Sequence, residues 1–119
     1  MLFHYQVREY FLYSGTIDMR KGIDSLVGIV NNELGKDPLT GDLFIFINKR
    51  RRQIKMLHWQ GDGFAIFYKR LEKGTYELPR NDLKLSQQIN AEKLLFILQG
   101  VVLKTVKKHR RYTHQTVSN

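Results

Sequence analysis

Residues Leu43 to Arg70 read LFIFINKRRRQIKMLHWQGDGFAIFYKR. Three apolar, aromatic-rich runs of strand length stand out in it: Leu43–Ile47, Ile54–Trp59 and Phe64–Tyr68. The first two are separated by Asn48–Gln53, which packs Lys49, Arg50, Arg51 and Arg52 into one loop. The last two are separated by Gln60-Gly61-Asp62-Gly63, a tight turn, since glycine reaches positive φ without steric cost. Runs rich in Phe, Ile, Trp and Tyr with turns between them predict an antiparallel meander. Side chains alternate along a strand, so Ile54, Met56 and His58 face one way and Lys55, Leu57 and Trp59 the other. Neither set is purely polar, which predicts cover on part of both faces.

To the N-terminal side, Tyr10–Tyr13 reads as a short strand ended by Ser14-Gly15. Thr16 or Asp18 is positioned to cap a helix. Met19, Ile23, Leu26, Val27, Val30 and Leu34 then follow at helical spacing and form one apolar stripe. Gly35 supplies a left-handed exit, with Pro38 three residues on. Gly22, at the edge of the stripe, suggests close approach of another backbone.

To the C-terminal side, Thr75–Leu78 alternates enough for an edge strand, which Pro79 would end because proline has no donor for a ladder. Residues 80–89 show no clear period. Asn90 caps a second helix with the stripe Ala91, Leu94, Leu95, Leu98 and Val102, and Gly100 ends or bends it. Val101–Val106 fits a strand as well as continued helix. The expected fold is therefore α+β: a mainly antiparallel sheet of four or five strands packed by a helix from about 18 to 34. The second helix is expected against an edge or the same face. The division is one domain over 1–103 and a basic, mobile tail over 104–119.

Composition narrows the function. The chain has 119 residues, 42% hydrophobic and 26% charged, with no cysteine. Disulfides and thiolate metal sites are thus excluded, which suits a reducing cytoplasm. No apolar run approaches the ~20 residues of a membrane span, and the N-terminal residues do not read as a secretory signal. The formal net charge is +9. Residues 1–48 carry four basic side chains against six acidic, a net −2, whereas residues 49–119 carry sixteen against five, a net +11. Such asymmetry points to a polyanionic partner, nucleic acid before an anionic membrane.

No catalytic or metal centre is legible. His4, His58, His109 and His114 form no H-x-x-x-H pair, and His58 reads as a packed strand residue. Asp18, Asp24, Asp62 and Glu72 are too scattered to predict the convergent carboxylates of a metal-dependent nuclease. Serines stand in no nucleophile-elbow context. We therefore expect no enzyme and no cofactor. The strongest functional feature is the loop Lys49-Arg50-Arg51-Arg52, because like charges on one tip repel and arginine forks match phosphate oxygens. Lys55, Lys69 and Arg70 extend it, and Lys107, Lys108, Arg110 and Arg111 form a second basic cluster in the tail. Trp59, Tyr68 and Tyr76 could stack on bases, although strand aromatics more commonly pack.

Gly15-Thr16-Ile17-Asp18-Met19-Arg20-Lys21-Gly22-Ile23-Asp24 resembles the opening block of a small transposon protein. This is the accessory product of the second reading frame in the insertion-sequence family numbered sixty-six. Leu43–Phe46, the arginine-rich turn, Ile54-Lys55-x-Leu57-x-Trp59, Gly63-Phe64 and Lys69-Arg70-Leu71-Glu72-x-Gly74 resemble its later blocks in order and spacing. The resemblance covers roughly residues 5–102. Gln60 departs from it, standing where an acid usually follows the tryptophan, as does Leu78, where an aromatic usually precedes the proline. The resemblance implies a bacterial protein needed alongside a transposase, with Asp18, Met19, Arg20, Lys21 and Gly22 as its matching block and no catalytic residues to carry over. The expectation is a non-catalytic transposition factor contacting DNA, with the transposase as a further partner. The rivals are a module that docks on the transposase and a metal-dependent nuclease.

Overall fold

The computed structural model describes residues 6–79 and 84–99. At its centre is β2 (Leu43–Ile47), in which all five residues are buried. A strand buried on both faces needs neighbours on both edges and cover above and below. The neighbours are β1 (Tyr10–Tyr13) on one side and β3 (Gln53–Trp59) on the other. Beyond β3 lies β4 (Phe64–Arg70), and beyond β1 lies β5 (Ser86–Ile89), in the order β4-β3-β2-β1-β5.

The meander is as the alternation predicts. β2 and β3 pair antiparallel with Ile45 opposite Met56 and Ile47 opposite Ile54. β3 and β4 pair with Gln53 opposite Arg70 and Lys55 opposite Tyr68. β1 instead runs parallel to β2, with Phe11 opposite Phe44. A helix between two neighbouring strands carries the chain back to the starting end, and the second strand is then parallel to the first.

That helix, α1, spans Ile23–Gly28 and widens into π-helical turns over Ile29–Glu33, where Leu34 N donates to Ile29 O at 3.0 Å. It starts five residues later than the 18–34 expected. Asp18 spends its carboxylate on the backbone N of Arg20 (2.8 Å) and on the Arg20 guanidinium, making a local turn rather than a cap. Gly22 is the N-cap, without a side-chain cap bond. A Cβ there would meet nothing within 4 Å, so close backbone approach is not its reason. The exit follows expectation: Gly35 has φ +62, and Lys36 N reaches Val30 O at 3.0 Å.

Both sheet faces are covered. Leu26, Ile29 and Val30 of α1 pack on Phe11, Phe44, Phe46 and Leu57. The other face carries Ile45, Ile47, Ile54 and Met56, under Tyr76 and under Leu94 and Ile97 of α2 (91–99). The second helix thus packs on the face opposite α1 and not on the same face. Asn90 Oδ1 accepts from Lys93 N at 2.7 Å, the cap its position predicts. The inward stripe is Leu94, Ile97 and Leu98, whereas Leu95 is exposed.

The edge strand is also relocated. Residues 75–78 form no strand; their alternation places Tyr76 in the core and Thr75 and Glu77 outside. The fifth strand is Ser86–Ile89, paired antiparallel to β1 with Tyr10 opposite Ile89. Its sequence, SQQI, carries no apolar period because the β1 ladder holds it. The expected Val101–Val106 element lies outside the described residues.

Candidate nucleic-acid interface

Asn48 organises the basic turn. Its Oδ1 accepts from the backbone N of Arg52 (2.9 Å) and of Gln53 (3.0 Å), while its carbonyl accepts from Arg51 N at 2.9 Å. Asn48 N closes the hairpin on Gln53 O at 3.1 Å. Arg51 takes φ 59, a left-handed conformation that costs a non-glycine residue about 1–2 kcal/mol. The surrounding bonds hold it there. Tyr76 N donates to Arg51 O and Leu71 N to Arg52 O, each at 2.7 Å, and Arg52 Nη2 donates to Glu72 O at 3.0 Å. The tip is therefore clamped on one side by its own asparagine and on the other by residues 71–76.

This clamp leaves Lys49, Arg50 and Arg51 exposed. Among the described residues, none of the three has an ion-pair partner. Arg70 meets Glu72 at 3.3 Å, an exposed pair of the kind that contributes little to stability. A groove of about 300 Å³ opens here, lined by Asn48, Arg50, Arg52, Gln53, Arg70 and Glu72. Lys69 is exposed on the sheet face of Phe67, away from Arg70.

Lys55 is placed differently from the tip cations. Its ammonium donates to Met19 O and Lys21 O, both at 2.7 Å, tying β3 to the loop before α1. Ile17 N also reaches Ile47 O at 3.3 Å, next to the basic turn. The fold thereby brings Asp18, Met19, Arg20, Lys21 and Gly22 to the same end of the sheet as Lys49–Arg52. Arg20 and Asp18 share a 2.6 Å ion pair on the surface. The Arg20 guanidinium, with help from its backbone N, lowers the Asp18 carboxyl to about 2, and the same contact raises the Arg20 pKa. The tail cations Lys107, Lys108, Arg110 and Arg111 lie outside the described residues.

Of the three candidate stacking residues, Trp59 packs edge-on against Phe64 at 5.0 Å and Tyr76 is 1% exposed. Burial pushes the Tyr76 hydroxyl up to about 12, and this hydroxyl has no hydrogen-bond partner among the described residues. Tyr68 alone of the three is well exposed. At the far end of the sheet, buried Asp42 is gripped by Arg8 through bonds of 3.0 and 3.3 Å, and buried His58 holds Gly41 O through Nε2 at 3.1 Å. His58 is a packing residue, as its strand position suggests. No three His, Cys, Asp or Glu side chains converge as a metal site among the described residues, and no helix there is long and apolar enough to cross a membrane.

The role of Asn48 was the main omission of the sequence reading. Its signal was an asparagine directly before a turn, where the short amide can bond the backbone a few residues on. The clamping by Leu71 and Tyr76 had no such signal.

Fold and site together define a small basic α+β protein that presents a hydrogen-bonded, exposed cationic turn at one end of its sheet. The chain belongs to the family of IS66 Orf2-like proteins, whose description matches residues 8–108 and so reaches into the basic tail. Membership implies an accessory role in transposition. Among curated proteins, the chain is similar to the uncharacterized protein y4jC of Sinorhizobium fredii, 36% identical over 63 residues. That match covers 53% of this chain and 54% of the relative, about half the length of each. It is also similar to the uncharacterized protein y4hO of the same organism, 31% identical over 91 residues, covering 76% of this chain and 78% of that one. No solved structure matches.

Proposed function

We propose that the protein is a non-catalytic transposition factor of the bacterial cytoplasm that holds DNA by its phosphates. Lys49, Arg50 and Arg51 make the contacts, with Arg52 and Arg70 in the groove beside them, Lys69 on the neighbouring face and the cluster Lys107, Lys108, Arg110 and Arg111 as a second arm. Lys55 serves as the strut that sets the turn against the Asp18–Gly22 loop. The observation that carries this reading is a clamped turn whose three outermost cations have no acidic partner among the described residues. Mutual repulsion makes such a tip costly unless a polyanion meets it.

The test is duplex binding measured across salt concentration. Phosphate contacts give a log–log slope of about −0.9 per contact, so replacing Lys49, Arg50 and Arg51 by Gln should flatten it by about 2.7. Binding that is salt-insensitive, or a slope unchanged in the triple variant, overturns the reading. A second reading is docking on the transposase, favoured by Leu95 and Phe96, which are 53% and 65% exposed on α2. Co-purification of the two proteins that survives nuclease treatment and is lost in Phe96→Ser would support it.

A further inference from the structure

Tyr68 lies beside the groove and is held from two sides. Its hydroxyl donates to Gln53 Oε1 at 3.1 Å, and the Lys55 ammonium lies 5.9 Å from its ring centroid. Gln53 itself lines the groove, so one side chain joins the ring to the cations. Tyr68 and Arg70 are two apart on β4 and share a face, which sets their Cα atoms about 6.7 Å apart. The residue is 48% exposed, whereas Trp59 and Tyr76 are engaged in packing. The ring is thus hydrogen-bonded to the groove's own Gln53, open to solvent and next to a groove that carries Arg50, Arg52 and Arg70.

We propose that this surface is a subsite for single-stranded DNA, in which one unpaired base stacks on Tyr68 and the adjoining phosphate enters the groove beside Arg70, Arg52 and Arg50. The proposal rests on the reading of the basic turn as phosphate-binding and adds the strand state of the ligand. In a duplex the faces of each internal base are covered by its neighbours, so an outside ring gains contact only with an unpaired or terminal base. Stacking is indifferent to base identity, because every base has a π-face. Glu72 does not close the groove. Its pair with Arg70 is solvent-exposed and rests on one 3.3 Å contact, whereas a phosphate offers the guanidinium two oxygens. The strut Lys55 fits the same purpose: a cation near the ring orders it before the base arrives.

The experiment compares the full chain with Tyr68→Leu and Tyr68→Phe in binding to a fluorescent oligothymidine strand and to a duplex of matched length. Tyr68→Leu should weaken single-strand binding between about five- and 150-fold, the range of one base–aromatic stack, and leave duplex binding within about twofold. Tyr68→Phe keeps the π-face and should retain single-strand affinity. Equal single-strand affinity in Tyr68→Leu and the wild type overturns the proposal while leaving the basic turn untouched. An equal loss on both ligands overturns it too, since the ring would then act only through the sheet. Failure of the wild type to bind either ligand overturns this proposal and the phosphate reading together. A measurement on the unaltered protein guards against a misfolded variant: photocrosslinking to a strand containing bromouracil should place the adduct on Tyr68. An adduct confined to other residues overturns the stacking subsite.

Discussion

Lys55→Met separates a structural cation from a DNA-contacting one. The substitution keeps an apolar stem of similar length and removes the ammonium that donates to Met19 O and Lys21 O, both at 2.7 Å. A hydrogen bond to a charged group contributes about 1.5–3 kcal/mol where water is excluded. Lys55 is half-buried and Lys21 exposed, so the released carbonyls recover part of this from water. A net loss of about 2 kcal/mol for the pair is the expectation. In a domain of this size each kcal/mol moves the midpoint about 4–8 °C, so the thermal midpoint should fall by about 8–16 °C. The assay is a circular-dichroism melt, read beside the salt slope of duplex binding below the transition. The slope should stay at the wild-type value, because the ammonium is committed to carbonyls. An unchanged midpoint with a slope lowered by about 0.9 would refute the reasoning and make Lys55 a phosphate contact.

Other expectations are equally specific. Asn48→Ala removes the acceptor for two backbone amides of the tip and should cost about 1–2 kcal/mol in urea unfolding, with weaker DNA binding as the turn loosens. Arg8→Met strands the buried Asp42 carboxylate; a fully buried broken pair costs about 3–5 kcal/mol, and the exposure of Arg8 lowers the expected loss to about 2 kcal/mol. The Asp18 carboxyl lies near 2 in the folded chain against an ordinary 3.8, so its contribution is present above pH 3.8 and lost as pH falls toward 2. Asp18→Asn should therefore flatten that part of the acid-unfolding curve: the variant lacks the contribution at neutral pH and converges with the wild type as pH falls toward 2. Tyr76 has the opposite sign. Its hydroxyl is raised from 10.0 to about 12, so stability is lost as pH climbs through that interval. Tyr76→Phe should abolish this alkaline limb and, by removing an unpaired buried hydroxyl, leave neutral stability unchanged or raise it by about 1 kcal/mol. A neutral-pH loss above about 1 kcal/mol would show that the hydroxyl has a partner.

Features set by near neighbours could be read from the chain directly. The β2–β3–β4 meander follows from alternation and glycine turns, the Asn90 cap from one side chain, and the exposed basic turn from four consecutive cations between two apolar strands. The resemblance to the transposon accessory family likewise needed only blocks of sequence in order. Features that depend on residues far apart in the chain were settled by the tertiary structure. The parallel pairing of β1 with β2 depends on where α1 carries the chain, and the choice of Ser86–Ile89 over Thr75–Leu78 as edge strand depends on which backbone finds the open ladder of β1. The same holds for Lys55, whose ammonium reaches carbonyls 34 and 36 residues away. It holds too for Tyr68, which differs from Trp59 and Tyr76 only in what packs against it. Composition and local spacing determine which residues are charged or apolar; a side chain's partner is set by the surface that folding brings up to it.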